Sequence, residues 1–230
     1  MEDLLVRNRR EVPAFILNIM IVLFVGIGTK MMFRSTGLNA AFSAPGFENF
    51  KFFTVLSNEF CGILAGIWLL FKLLRRRFPA VLKLVSASAV GLTFLIIAAF
   101  LGPLYPDLNL YEGGNLYFHL IVPLIAMAEF ILMETKAKIP FKYTLVAASL
   151  SLVYGMVYLF NNIINGIGEW PETNDWYGFL NWGYPVGIGI FAGVVLMNWG
   201  IAVLLRALNR LVEIGVDRCG KQGRGGRKHE

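Results

Sequence analysis

The chain has 230 residues, of which 57% are hydrophobic and only 16% are charged, and its mean hydropathy is +0.62. A soluble domain carries about 25% charged residues, so this composition excludes an ordinary soluble globular protein. The net charge of +6 does not indicate nucleic-acid binding, because the basic residues lie in short connections and at the chain ends and form no basic face.

Six apolar stretches divide the chain, and each is long enough to cross a membrane. A helix needs about 20 residues to span a hydrocarbon core of ~30 Å, and a bilayer offers no water to unpaired backbone groups. The sequence therefore predicts an all-α bundle of six transmembrane helices. We place the spans at 13–34, 50–71, 80–103, 115–133, 141–163 and 182–206.

Lysine and arginine fall mostly on one side of this bundle. The N-terminal segment, the second and fourth connections and the C-terminal segment hold 18 of the 21 basic residues, and the other side has Lys30, Arg34 and Lys51. Because translocation disfavours positive charge, both termini are predicted to face the cytoplasm. The short inner connections predict antiparallel hairpins for spans two–three and four–five, and they are typical of a bacterial inner-membrane protein.

The ends of the chain differ in character from the apolar middle. The first apolar run is longer than the core of a signal peptide and no small-residue cleavage site follows it, so we expect it to be retained. We divide the chain into a cytoplasmic N-terminus (1–12), a transmembrane domain (13–210) and a flexible basic tail (211–230). The tail is too polar to fold alone, and its His229 is expected to be inert.

The two cysteines indicate neither a disulfide nor a metal site. Cys61 lies within span two and Cys219 in the cytoplasmic tail, so they cannot pair with each other. Because no cysteine spacing typical of metal ligands is present, we expect no metal and no cofactor.

Aromatic residues cluster at the outer boundary of span six. An interfacial aromatic belt is the simpler interpretation. The alternative is that they line an entrance for an amphiphilic ligand, with Tyr184 as a candidate substrate-binding residue. The cluster consists of Trp170, Trp176, Tyr177, Trp182 and Tyr184.

Thr54 and His119 are predicted to lie at the same depth. Each falls about four residues into a span that runs inward, roughly 6 Å below the outer boundary at 1.5 Å per residue. Thr54, Ser57, Asn58 and Cys61 share one helix face, and so do Asn115, His119 and Pro123. Since polar stripes avoid lipid, the two faces are expected to meet across a cavity.

A threonine hydroxyl beside an imidazole is the minimum for nucleophilic acyl transfer. The hydroxyl needs a base to remove its proton, and imidazole titrates near neutrality. Asn58, Ser57 or a helix-end amide would stabilise the oxyanion, and Asn115 would orient the ring. The alternatives are a threonine bonded back to its own helix and a histidine that joins helices.

Two carboxylates are predicted inside the membrane. Glu59 lies about 140° from Thr54 around its helix and is not expected to share its face. Glu129 is deeper, at the level of Asn198, and we expect a hydrogen bond between them. A proton relay is the functional alternative for both carboxylates.

The segments FFTVLSN (52–58) and HLIVPL (119–124) resemble a known family. They are similar to bacterial six-pass membrane proteins and, more distantly, to the androgen-induced membrane hydrolases of animals, which cleave fatty acid esters of hydroxy fatty acids. The resemblance covers nearly the whole membrane region, although its motifs are short and depart from the family pattern. It implies an intramembrane threonine nucleophile at Thr54 and a catalytic histidine at His119.

We therefore expect an intramembrane threonine hydrolase whose partners are membrane lipid and a lipid ester, and not nucleic acid; its oligomeric state stays open. One alternative is a small transporter that uses Glu59, Glu129 and His119 as a proton or ion path, although no repeat or pair of broken spans is evident. Another is a lipid-binding protein without enzymatic activity.

Overall fold

The computed structural model describes residues 2–34, 44, 46–134, 138–169 and 173–225, with side chains from residue 10 to residue 215 within those ranges. Predictions that concern Trp170 and His229 lie outside the described residues. The side chain of Cys219 lies outside them as well.

The described chain is helical and contains no strand, which confirms the predicted fold class. A 3-10 helix, Gly46–Lys51, precedes the second long helix. Within the described residues, six helices are long and apolar enough to cross a membrane, so the protein is a multi-pass membrane protein. They are α1 (Glu2–Arg34), α2 (Phe53–Leu73), α3 (Ala80–Leu104), α4 (Gly114–Met133), α5 (Tyr143–Asn165) and α6 (Tyr184–Gly225).

The helix ends differ from the predicted domain boundaries. Helix α1 begins at Glu2, well before the predicted span, and α6 continues to Gly225. No helix end marks the boundary that we placed between residues 210 and 211. The six crossings place both ends of the bundle on the same side, as the distribution of basic residues requires.

Helix α3 occupies the centre of the bundle and packs against α2, α4, α5 and α6. Its middle is rich in small buried residues, including Ala87, Ala89 and Gly91, which allow neighbouring helices to approach closely. The predicted hairpin of spans two and three is observed. The predicted pairing of spans four and five is not, because α5 packs against α3 and α6 instead.

Helices α3 and α4 each contain one π turn. The turns are Ile97–Leu101 and Tyr117–Ile121, and each is followed two residues later by a proline, Pro103 and Pro123. Proline has no N–H and its ring clashes with the carbonyl four residues earlier, so the regular hydrogen-bond ladder cannot continue there. The wider turn adds one residue and rotates the following side chains around the helix.

A charged cluster joins three helices in the inner half of the bundle. Lys83 of α3 lies 3.3 Å from the Glu129 carboxylate of α4, and both side chains are almost fully buried. Asn18 of α1 donates to Glu129 at 2.9 Å and accepts a hydrogen bond from Lys83. The cluster pairs each buried charge, as a low-dielectric interior demands.

The predicted Glu129–Asn198 hydrogen bond is wrong. The Asn198 side chain of α6 donates instead to the Ser151 hydroxyl of α5 at 3.0 Å. The prediction rested on the similar depth of Glu129 and Asn198 in the membrane. In the structure, helix α3 lies beside Glu129 and supplies Lys83 as its partner. Glu59 accepts a hydrogen bond from Thr29 of α1, so it too has a partner within the bundle.

Candidate functional site

A cavity of about 190 Å³ lies among the outer halves of helices α2 to α6. Aromatic and aliphatic side chains form most of its wall, and hydroxyl groups and one imidazole are the polar groups that line it. The lining residues are Phe52, Phe53, Thr54, Leu92, Thr93, Ile96, Ile97, Leu101, Tyr105, His119, Ser151, Tyr154, Tyr177, Phe179, Phe191 and Val194.

Thr54 is the second residue of α2 and lines the cavity. Its side chain is half-buried, while its carbonyl accepts hydrogen bonds from Ser57 Oγ at 3.1 Å and Asn58 Nδ2 at 2.8 Å. Its backbone N–H belongs to the first turn, whose amides a helix cannot pair internally. Thr54 therefore presents a hydroxyl and a backbone amide at the positive end of a helix dipole.

His119 lies in the π turn of α4, is 1% exposed and lines the same cavity. Its Nδ1 atom lies 2.6 Å from the main-chain carbonyl oxygen of Leu110. Because a carbonyl oxygen only accepts, Nδ1 carries the proton, and in the neutral ring the lone pair is on Nε2. This is the tautomer that a general base needs.

The two candidate catalytic atoms are available for a ligand. Across the residues whose side chains are described, neither Thr54 Oγ1 nor His119 Nε2 makes a hydrogen bond to another protein group. The other hydroxyl groups deeper in the wall are engaged: Ser151 donates to the Ala148 carbonyl at 3.0 Å, and Thr93 bonds with Ser57 at 3.2 Å.

Asn58 links the two halves of the site. Its buried amide donates to the Thr54 carbonyl of its own helix and, at 3.0 Å, to the carbonyl of Phe118. Phe118 directly precedes His119 in the π turn. One side chain therefore holds the backbone of the hydroxyl residue and the backbone next to the imidazole in one arrangement.

Not every predicted site residue reaches the cavity. Asn58 and Ser57 lie behind its wall, with their donors committed to carbonyl groups or to Thr93. Neither is placed to bind an oxyanion directly. They position Thr54 and the residues around it.

Asn115 and Tyr184 also stand apart from the lining residues. Asn115, which was predicted to orient the His119 ring, is buried in the first turn of α4. The Leu110 carbonyl bonds to the ring instead. The Tyr184 hydroxyl donates to the Asn162 carbonyl at 3.3 Å at the start of α6. This hydrogen bond ties the outer ends of α5 and α6 together.

An aromatic roof, of which only Tyr177 belongs to the predicted aromatic cluster, covers the outer side of the cavity. It comprises Tyr154, Tyr177, Phe179 and Phe191, whose rings contact one another or Tyr158. Tyr177 accepts a hydrogen bond of 2.9 Å from the backbone N–H of Phe53, which caps the start of α2. Burial raises the pKa of Tyr177 to about 12, so its hydroxyl stays neutral at physiological pH.

The loop that carries Tyr177 is held down by a buried carboxylate. Asp175 accepts a hydrogen bond from the Tyr158 hydroxyl and another, at 2.9 Å, from the Leu180 backbone N–H. Tyr177 thus lines the cavity, whereas Trp182 is 69% exposed and does not line it. In the sequence, the aromatic residues that follow Asp175 were the signal that could have indicated this loop.

The two π turns both contribute to the cavity wall, through Ile97 and Leu101 on α3 and His119 on α4. Such turns are frequent at functional sites. The signal in the sequence was a proline two residues beyond each turn, which we used only to define the face of span four.

No family model, curated protein or solved structure matches this chain. The resemblance to the androgen-induced hydrolases therefore stays a prediction. Among the described residues, no group of three or more His, Cys, Asp or Glu side chains could hold a metal ion.

Proposed function

We propose that this protein is an intramembrane threonine hydrolase that cleaves a lipid ester, such as a fatty acid ester of a hydroxy fatty acid or a similar amphiphile. One observation carries the proposal: Thr54 and His119 line one cavity, and the Leu110 carbonyl holds the imidazole in the tautomer of a base. The resemblance of the FFTVLSN and HLIVPL segments supports the same pair. In this proposal the enzyme lies in a bacterial inner membrane with its site near the outer face.

In the first half-reaction the Thr54 hydroxyl oxygen attacks the ester carbonyl carbon, and its proton passes to His119 Nε2 directly or through one water molecule. The tetrahedral intermediate carries its negative charge on the former carbonyl oxygen. We assign the Thr54 backbone N–H, at the positive end of the α2 dipole, as the donor to that charge. The ester C–O bond then breaks, and the alcohol leaves with the proton from the imidazolium.

In the second half-reaction water attacks the acyl-threonine ester, and His119 takes a proton from the water as it attacks. Collapse of this second intermediate releases the carboxylic acid and returns the proton to the Thr54 oxygen. The site is predicted to lie roughly 6 Å below the outer boundary, so a water molecule, which is far smaller than the substrate, has only a short distance to cross once the alcohol has left. The acyl chain meanwhile stays among the apolar side chains of the wall.

The transporter alternative finds less support in the placement of its three residues. Glu129 is paired with Lys83 and Asn18, and Glu59 is bonded to Thr29. Neither carboxylate lines the cavity that contains His119. The described structure thus shows no shared cavity that joins all three residues.

The test is covalent labelling by a fluorophosphonate, which traps an activated hydroxyl by forming an O–P bond as fluoride leaves. We expect labelling of the wild type and of Thr54→Ser, and its loss in Thr54→Val and His119→Gln. Thr54→Val keeps the shape of the side chain and removes only the hydroxyl. His229→Ala is the matched histidine control and should label normally.

Labelling is to be read only on variants that elute as folded protein in detergent and melt as the wild type does. A folded Thr54→Val protein that labels as fast as the wild type would exclude the proposed nucleophile. A wild type that hydrolyses no ester and takes no label would favour the lipid-binding alternative. Sodium- or proton-dependent flux that survives Thr54→Val would favour the transporter.

A further inference from the structure

We propose that the part of the substrate held in the cavity is an uncharged alkyl or acyl arm, and that it reaches Thr54 sideways from the membrane, between the outer ends of α3 and α6. This inference rests on the proposed function, because it concerns the substrate of the same site. It names the chemical class of the bound arm and the route by which the arm enters.

The chemistry of the wall excludes charge on the bound arm. The lining residues include no lysine, arginine, aspartate or glutamate. His119 already has Nδ1 committed to Leu110 and acts as the base through Nε2. A carboxylate or ammonium buried there would lose its hydration without gaining a counter-charge, which costs several kcal/mol. A free carboxylate of the substrate must therefore stay outside the cavity.

The volume limits the size of the arm. An apolar cavity of about 150 Å³ is known to take one benzene molecule, so a cavity of about 190 Å³ holds roughly six to eight non-hydrogen atoms. Two long chains cannot lie in it together. One arm occupies the cavity next to the ester group, and the remainder of the molecule extends beyond it into the membrane.

The roof closes the direct route from the outer surface. Tyr177 is bonded to the Phe53 N–H, and Asp175 anchors the same loop to Tyr158 and to the Leu180 N–H. The Tyr154 hydroxyl donates to the Lys51 carbonyl at 2.6 Å, which joins α5 to the segment before α2. Opening the roof would break several hydrogen bonds at once.

The wall has few contacts between the outer ends of α3 and α6. Helix α6 contacts the regular part of α3 (Ala80–Ile96), but the π turn and the residues beyond it make at most marginal contact with α6. The lining residues in this region are incompletely buried: Leu101 and Val194 are half-buried, and Tyr105 is 49% exposed. This side of the cavity faces the lipid, so an alkyl chain passes through it without leaving an apolar environment.

Two photoreactive probes test both parts of the inference in proteoliposomes. The first is octyl acetate with a diazirine in its alkyl chain, and the second is the same molecule with a carboxylate on the carbon next to the diazirine. Labelled peptides are mapped by mass spectrometry. We expect the neutral probe to label cavity-lining residues at least five-fold more than the anionic probe does.

Val194→Trp places a large side chain at the proposed entrance and should reduce labelling by the neutral probe at least five-fold. Leu196→Trp is the matched control, because Leu196 is 62% exposed on the same helix and does not line the cavity. Its labelling should stay within two-fold of the wild type. Tyr105→Ala widens the entrance and should increase labelling, which keeps the test decisive if Val194→Trp does not fold.

The outcomes separate this inference from the proposed function. Equal labelling of folded Val194→Trp and wild type, with no gain in Tyr105→Ala, would overturn the lateral route. Equal labelling by the anionic probe would overturn the requirement for an uncharged arm. Cavity labelling that persists in Thr54→Val and in a wild type without hydrolase activity would uphold this inference while the proposed function fails.

Discussion

The side-chain amide of Asn58 donates a hydrogen bond of 3.0 Å to the carbonyl of Phe118, the residue before His119. The same nitrogen donates to the carbonyl of Thr54 at 2.8 Å. A single buried asparagine, 60 residues distant from Phe118 in the sequence, thereby sets the position of α2 relative to the π turn of α4. The candidate catalytic pair depends on this bridge for its alignment.

Replacing Asn58 by leucine should lower ester hydrolysis and fluorophosphonate labelling at least ten-fold. Leucine has a similar shape but donates no hydrogen bond, so the turn that carries His119 loses its link to α2. The accompanying loss of stability should be about 1–3 kcal/mol, measured by thermal unfolding in detergent.

Asn209→Leu is the matched control for Asn58→Leu. The Asn209 amide also bridges two helices, by donating to the Phe130 carbonyl at 3.0 Å, but it does so in the inner half of the bundle. A similar loss of stability with normal labelling is expected. If the two variants lose labelling equally, the effect of Asn58 is on folding and not on the site.

Gly28→Ala should displace the segment that carries His119. A Cβ atom at Gly28 would lie 2.6 Å from the ring of Phe118, whereas a Cβ at Gly26, on the same helix, would meet nothing within 4 Å. Overpacking of this kind costs about 1–3 kcal/mol. We expect lower thermal stability and weaker labelling for Gly28→Ala, and no loss of either for Gly26→Ala.

Glu129→Gln should destabilise the bundle by about 3–5 kcal/mol, because it leaves the buried Lys83 without its counter-charge. The double variant Lys83→Met with Glu129→Leu removes both charges and should recover most of that loss. Thermal unfolding of Lys83→Met, of Glu129→Leu and of the double variant gives the coupling between the two residues. Additive losses would show that the pair does not interact in the membrane.

Tyr177→Phe should remove the cap of the Phe53 N–H and destabilise the protein by about 1–3 kcal/mol. The pKa of Tyr177 is raised from 10.0 to about 12 by burial, so folding favours its neutral form. Its stabilising effect should be complete below pH 10 and should disappear as the pH rises towards 12. The difference in Tm between the wild type and Tyr177→Phe, followed from pH 8 to 12, measures the loss of this stabilising effect as the pH rises.

Tyr184→Phe provides the comparison, because the Tyr184 hydroxyl bonds to the Asn162 carbonyl away from the cavity. It should leave ester hydrolysis within two-fold of the wild type. A larger loss of activity would restore Tyr184 as a substrate-binding residue, as the sequence first suggested.

The amino-acid sequence was sufficient to predict the six helices and the distribution of the basic residues, and it led to Thr54 and His119, which line one cavity. These features follow from uninterrupted apolar runs and from the fixed rise of 1.5 Å per residue, both of which are local properties. The helix ends were less accurate, since α1 and α6 extend beyond the apolar runs that identified them.

Which side-chain atoms meet depends on how the helices pack in three dimensions. The Leu110 carbonyl, and not Asn115, bonds to the His119 ring, and Lys83, and not Asn198, lies beside Glu129. The physical reason is rotation: a π turn adds one residue and turns the following face around the helix axis. The partner of each residue also depends on which helices pack together. Helix α3 lies at the centre of the bundle, and the apolar runs in the sequence do not indicate which helix is central.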